Sequence, residues 1–202
     1  MIRQLIREIL LNEAAMRPVD LPVGMYVKIE KSDTRIKVSY YKKSYKFESD
    51  LFGSISAISN PDSPNGMCSN AFIISLASAK QGWGPLLYDV LMEVATEMGK
   101  GLTPDRRSLS DSAKRVWSYY FSNRGDISKN VLDYKKSPFI TPSDETDDCR
   151  SDVVETDWEY KNKEDDESFN DYYVKSPLNY VYFSNGTPAI NKLRKMSLLI
   201  ED

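Results

Sequence analysis

The stretch AFIISLASAKQGWGPLLYDVLMEVATEM, residues 71–98, decides how this chain is read. Its opening residues, Ala71 to Ala77, form an apolar run without strict alternation, the pattern of a central strand covered on both faces. Lys80-Gln81-Gly82-Trp83-Gly84-Pro85 then interrupts the run. Pro85 suits a first helical turn, because its φ is already set and its missing N–H has no partner to lose there. Beyond it, Leu86, Leu87, Val90, Leu91, Val94 and Met98 recur on one helical face, with Asp89, Glu93 and Glu97 on the other. Gly99 and Gly101 end the helix. The unit is therefore strand, glycine loop, helix.

Such a unit has a definite chemistry open to it. Glycines let the backbone turn sharply and approach a ligand closely. A helix start adds free N–H groups and the positive end of the helix dipole. The eight residues Ala79, Lys80, Gln81, Gly82, Trp83, Gly84, Pro85 and Leu86 are thus a candidate cradle for a phosphate or diphosphate, with Lys80 as a source of positive charge. The plain alternative is a tight turn with no ligand.

Upstream, Tyr26 to Ile29 and Ile36 to Tyr40 alternate with period two and read as strands, joined by a turn at Ser32-Asp33-Thr34. Residues 26–47 hold seven Lys or Arg, two acidic residues and four tyrosines. Basic residues interleaved with aromatics suit a nucleic-acid surface, and equally the solvent face of an antiparallel sheet. Residues 51–58 read as a further strand, and 60–65 as a loop. Downstream, Leu102 to Asp105 is a short extended piece. Ser110 is the expected N-cap of a second helix. Its buried stripe is Ala113, Val116, Trp117, Tyr120 and Phe121. Near the end, Leu178 to Phe183 predicts a strand, and Asn185-Gly186 a turn. Thr187-Pro188 opens a last helix with Ile190, Leu193 and Ile200 along one side.

This order of elements resembles the GNAT family of N-acetyltransferases. Family members bind the diphosphate of an acyl-CoA through backbone N–H groups of a loop of the form Arg/Gln-x-x-Gly-x-Gly/Ala. Gly82 and Gly84 match the two glycine positions, while Ala79 stands where the family has Arg or Gln. The next helix in the family often reads Asn-x-x-Ala-x-x-x-Tyr. Aligned on Ala113, the tyrosine that protonates the departing thiolate becomes Trp117, whose indole cannot do so. Tyr120, about one turn on, is the candidate replacement. The resemblance spans roughly residues 24–127. It implies a mixed, mostly antiparallel sheet flanked by helices, acetyl-CoA as cofactor, and acetyl transfer to an amine on a protein or small molecule. The base that takes the amine proton is not marked in the sequence. Asp105 and Glu93 are candidates by position only, and Asp105-Arg106 also reads as a structural ion pair.

The rest of the chain sets boundaries on function. There is no histidine, which excludes Ser-His-Asp and Cys-His nucleophile pairs. Cys68 and Cys149 are too few and too far apart for a disulfide framework or a zinc site, and no metal is expected. No apolar run reaches the roughly 18–20 residues that span a bilayer. The net charge of −3 hides an acidic block at 141–171, with thirteen acidic residues against three basic ones. It reads as a solvated extension. Residues 2–13 read as a short amphipathic helix, with Ile2, Leu5, Ile6, Ile9 and Leu10 on one face. This leader resembles the capsid-targeting leaders of tailed-bacteriophage head proteins, which a prohead protease removes after Glu. Leu11-Asn12-Glu13-Ala14 matches the cleavage context. That resemblance implies phage head proteins as partners and cleavage after Glu13.

The resulting expectation is an α+β protein. It comprises a leader helix at 1–13, a GNAT-like core at 24–127, an acidic insertion at 128–176, and a C-terminal strand and helix at 177–202. It is placed in the cytoplasm of a bacterial host or in a virion. Three functions compete: an acetyl-CoA-dependent N-acetyltransferase, a non-enzymatic virion protein with a degenerate fold, and, less favoured, a nucleic-acid-binding module.

Overall fold

The structure is a computed structural model that describes residues 15–42, 52–59, 71–105, 109–132 and 173–202. The leader, Glu13, both cysteines, Arg106 and the acidic block lie outside the described residues.

The described residues form an α+β fold around one mixed sheet. Its strands are β1 (Met25–Ser32), β2 (Arg35–Lys42), β3 (Gly53–Ser59), β4 (Phe72–Ala79), β5 (Leu102–Thr103), β6 (Ile127–Val131), β7 (Tyr180–Ser184) and β8 (Leu199–Glu201). Their order across the sheet is β6-β7-β5-β4-β3-β2-β1-β8. The helices are α1 (Gly84–Glu97), α2 (Asp111–Asn123) and α3 (Pro188–Lys195). β1 to β4 form an antiparallel meander. β4 and β5 are parallel and joined by α1, a βαβ unit.

Period two explains the meander. Val27, Ile29, Val38 and Ile55 point to the helical side and are buried, while Lys28, Lys37 and Ser54 alternate with them. α1 is buried on more sides than its six-residue stripe predicts. Tyr88, Met92, Glu93 and Ala95 are buried as well, because the helix packs on the sheet and also meets α3 and the Trp117 side chain of α2. Trp117 is fully buried, its ring centroid 4.9 Å from Tyr182 and 5.9 Å from Tyr88, so it is a core residue joining α1, α2 and β7. Ser110 caps α2 as expected, accepting a hydrogen bond from the Ala113 N–H at 3.2 Å.

Two elements differ from the sequence reading. Ile127–Val131 is a strand paired with β7, although most of it falls in the segment, 128–176, whose sequence predicts an insertion. The last helix stops at Lys195 and does not carry Ile200. Ser197 takes a φ of +56°, and the chain turns into β8, which pairs in parallel with Val27 to Ile29 of β1. A three-residue apolar run fits either a helical stripe or a short strand, and here the free edge of β1 selects the strand.

Gly101 has a packing reason to be glycine. A Cβ there would sit 1.9 Å from Val181 Cγ1 and 2.8 Å from the Phe183 ring. Those residues belong to β7, where it joins the β5 side of the sheet. Gly101→Ala is therefore expected to lower stability by roughly 1–3 kcal/mol through forced repacking. Urea denaturation reads this as a lower midpoint at unchanged slope. An unchanged midpoint would contradict the packing described here.

Candidate functional site

The glycine loop joins the C-terminal end of β4 to α1, and a wedge of aromatic rings fixes it. The Trp83 ring lies edge-on to Tyr40 at 4.9 Å and tilted against Phe52 at 4.8 Å. The Tyr40 hydroxyl donates to the Trp83 carbonyl at 2.7 Å. Burial pushes the Tyr40 hydroxyl well above its ordinary pKa, so it stays a donor. Gly82 takes a φ of +83°, the left-handed region open to glycine at no steric cost. Its carbonyl accepts the Met16 N–H at 2.7 Å, which ties the chain before β1 to the loop.

The loop amides divide into two sets. The Lys80 N–H donates to the Phe52 carbonyl at 3.1 Å, the Trp83 N–H donates to the Lys80 carbonyl at 3.0 Å, and Pro85 has no N–H. Ala79 is paired with Gly53 in the sheet. The Gln81, Gly82 and Gly84 amides meet no acceptor among the described residues, and Leu86 lies in the first helical turn, where N–H groups lack intrahelical partners. Half of the eight predicted cradle residues thus keep a donor available. The Lys80 ammonium lies over the Phe52 ring, 4.4 Å from its centroid.

Beside the loop, β4 loses its neighbour. β5 pairs with β4 only at Phe72↔Leu102 and Ile73↔Thr103, whereas β4 runs on to Ala79. From Ser75 onward β4 is exposed, with Leu76 at 59%. The β3–β4 register also shifts between Ser56 and Ala57, which leaves an extra residue on β4 at Ser75. The floor next to the loop is made of small residues, Ala77, Ser78 and Ala79, and the nearest neighbour of a Cβ built on Gly84 would be the Ala79 Cβ at 4.0 Å.

The other predicted residues lie apart from this floor or are engaged elsewhere. Tyr120 is buried, and its hydroxyl donates to Asp89 Oδ1 at 2.8 Å. Arg124 Nη1 reaches the same oxygen at 2.9 Å, and Arg124 Nε pairs with Asp126 at 2.6 Å. Burial raises the Tyr120 hydroxyl well above its ordinary range. Burial also raises Asp89, against the pull of Arg124, while the Arg124 guanidinium holds Asp126 below its usual value. Asp89, read from sequence as a solvent-face residue, is the centre of this network. Asp105 is half-buried just beyond β5 and has interactions of its own.

Glu93, also read as a solvent-face residue, is buried to 2% exposure. Its two carboxylate oxygens accept the Ala189 N–H at 2.9 Å and the Ile190 N–H at 2.8 Å, capping the N-terminus of α3. Glu93 is therefore a structural residue. No local sequence signal marks it, because its partners lie some 96 residues further along the chain. Burial pushes its carboxyl up to about 7, partly opposed by the two amides. The folded state then holds a proton that the unfolded state, with its carboxyl near 4.5, has released. Stability is accordingly expected to fall as pH rises from 4.5 to 7 and to level off above that window. The steepest slope approaches about 1.4 kcal/mol per pH unit. Glu93→Gln removes the Glu93 part of this slope, leaving what Asp89 contributes, in urea titrations at stepped pH. A slope that persists unchanged in the variant would contradict the assignment.

Among the described residues no group of His, Cys, Asp or Glu side chains is placed to hold a metal ion, and no helix is long and apolar enough to cross a membrane. In comparisons with known proteins, no family model, no curated protein and no solved structure matches this chain.

Proposed function

We propose that the chain is a GNAT-like domain that binds an acyl-CoA at the loop from Gln81 to Leu86 and transfers the acyl group to an amine. The observation that carries this reading is the combination at the end of β4. Loop amides without acceptors stand beside a strand that has parted from its parallel neighbour. A diphosphate needs several donors and a close approach of backbone, and Gln81, Gly82, Gly84 and Leu86 supply both. Acetyl-CoA would bring the activated acyl group as its thioester. The chain's part is to hold the diphosphate, to align the arm along the open edge of β4, and to polarise the thioester carbonyl through a β4 amide near Ser75.

A second reading has its own support. Trp117 lies sealed in the core at the place of the family's tyrosine, and the Tyr120 hydroxyl is engaged by Asp89. Both facts suit a virion protein that keeps the architecture without the chemistry. The nucleic-acid reading is weakened by pairing on the outer sheet face. The Lys28 ammonium is 2.9 Å from Asp202 and 3.5 Å from Glu30, and the Lys37 ammonium is 3.9 Å from Glu30.

Calorimetry with acetyl-CoA separates the first two readings. Micromolar to millimolar binding is expected for the wild-type chain. Gly84→Glu, which places a carboxylate in the cradle, is expected to reduce it below detection. Absence of wild-type binding would end the transferase reading.

A further inference from the structure

We propose that the Tyr88 hydroxyl is a fixed hydrogen-bond donor to the anionic group seated at the glycine loop. The inference rests on the anion-cradle reading of that loop and is independent of whether acyl transfer follows.

Tyr88 is the fifth residue of α1 and only 6% exposed. Its ring meets Trp117 edge-on, at 5.9 Å and 89°. Its hydroxyl has no hydrogen-bond partner among the described residues. The sealed, unsatisfied atoms of the interior include Thr103 Oγ1 and Trp117 Nε1 but not this hydroxyl. A tyrosine whose ring is buried and whose oxygen is neither bonded nor sealed presents that oxygen to an open space.

The helix geometry says which space. Tyr88 follows Gly84 by four residues and so shares its face of α1. Helical side chains tilt toward the N-terminus and cover the preceding turn, which here is the turn that opens at Gly84. The neighbouring tyrosines are otherwise engaged: Tyr40 donates to the Trp83 carbonyl and Tyr120 to Asp89. Lys80, the charge expected at this site, lies over Phe52. The cradle therefore has few donors beyond its backbone, and Tyr88 adds one on a rigid stem. Burial pushes its hydroxyl up to about 12, so it remains protonated throughout the neutral range.

The test is calorimetry on the full chain with two probes, acetyl-CoA and inorganic diphosphate, comparing wild type with Tyr88→Phe. The substitution removes one oxygen and keeps the ring against Trp117. Each probe that binds wild type is expected to bind the variant about tenfold more weakly. Equal affinity for both proteins would overturn the proposal. Weakened diphosphate binding, with no acetyl-CoA binding even by wild type, would uphold the role of Tyr88 and remove the acyl-CoA reading. Failure of wild type to bind either probe would overturn both. As a check that needs no variant, diphosphate is expected to shift the Tyr88 ring carbon resonance next to the hydroxyl in wild-type NMR spectra. An unmoved resonance at saturating diphosphate would also overturn the proposal.

Discussion

The wedge of Trp83 between Tyr40 and Phe52 is the constraint on which the site depends. A loop of two glycines has little conformational preference of its own. Here the indole is packed against β2 and the start of β3, and the Tyr40 hydroxyl holds the Trp83 carbonyl. That places the loop over the end of the sheet and determines which amides bond within the protein. The Lys80 and Trp83 amides are bonded within the protein. Those of Gln81, Gly82 and Gly84 meet no acceptor among the described residues. One bulky residue between two glycines thus converts a flexible connection into a shaped surface.

Below the loop, α1 carries the buried Glu93 and the half-buried Asp89, and each organises a different neighbour. Glu93 holds the start of α3 through two amides, which brings the C-terminal segment onto the core and lets β8 close the edge of β1. Asp89 gathers Tyr120 and Arg124 from the end of α2. Carboxylates taken out of water are costly unless hydrogen-bonded, and the buried Glu93 and half-buried Asp89 are both satisfied by groups distant in sequence. The same network decides the standing of the candidate acid. With its hydroxyl held by Asp89 and its ring in the core, Tyr120 serves the α1–α2 contact in the form described. Trp117 fills the position next to it.

Much of this was legible in the sequence, for physical reasons that apply residue by residue. The unbroken run at 71–77 and the helical stripe from Leu86 to Val94 are local patterns that give strand, loop and helix, but the run predicts cover on both faces and β4 is exposed from Ser75 onward, because β5 pairs with it only at Phe72 and Ile73. Gly82, Gly84 and Pro85 punctuate the chain in ways that only a turn and a helix start accommodate. Ser110 announces α2 by a cap that needs only its own neighbours. What failed to show was non-local. Ile127–Val131 has apolar residues only at its ends, and becomes a strand because β7 offers an edge. Leu199 and Ile200 leave the helix for the same kind of reason on β1. Glu93 and Asp89 sit at ordinary polar positions of α1; only the packing of α3 buries Glu93, and only Tyr120 and Arg124 engage the half-buried Asp89. Within the predicted cradle, the direction of Lys80 was invisible because Phe52, its partner, lies 28 residues upstream.

The division of the loop amides is the central claim, and residue-resolved amide hydrogen exchange tests it most directly. In the free protein, Lys80 and Trp83 should exchange slowly, and Gln81, Gly82 and Gly84 fast. Adding acetyl-CoA should slow the second set and leave the first unchanged. Slow exchange at Gln81, Gly82 and Gly84 before any ligand is added would mean that those donors are already bonded within the protein, and the account of the site would fall.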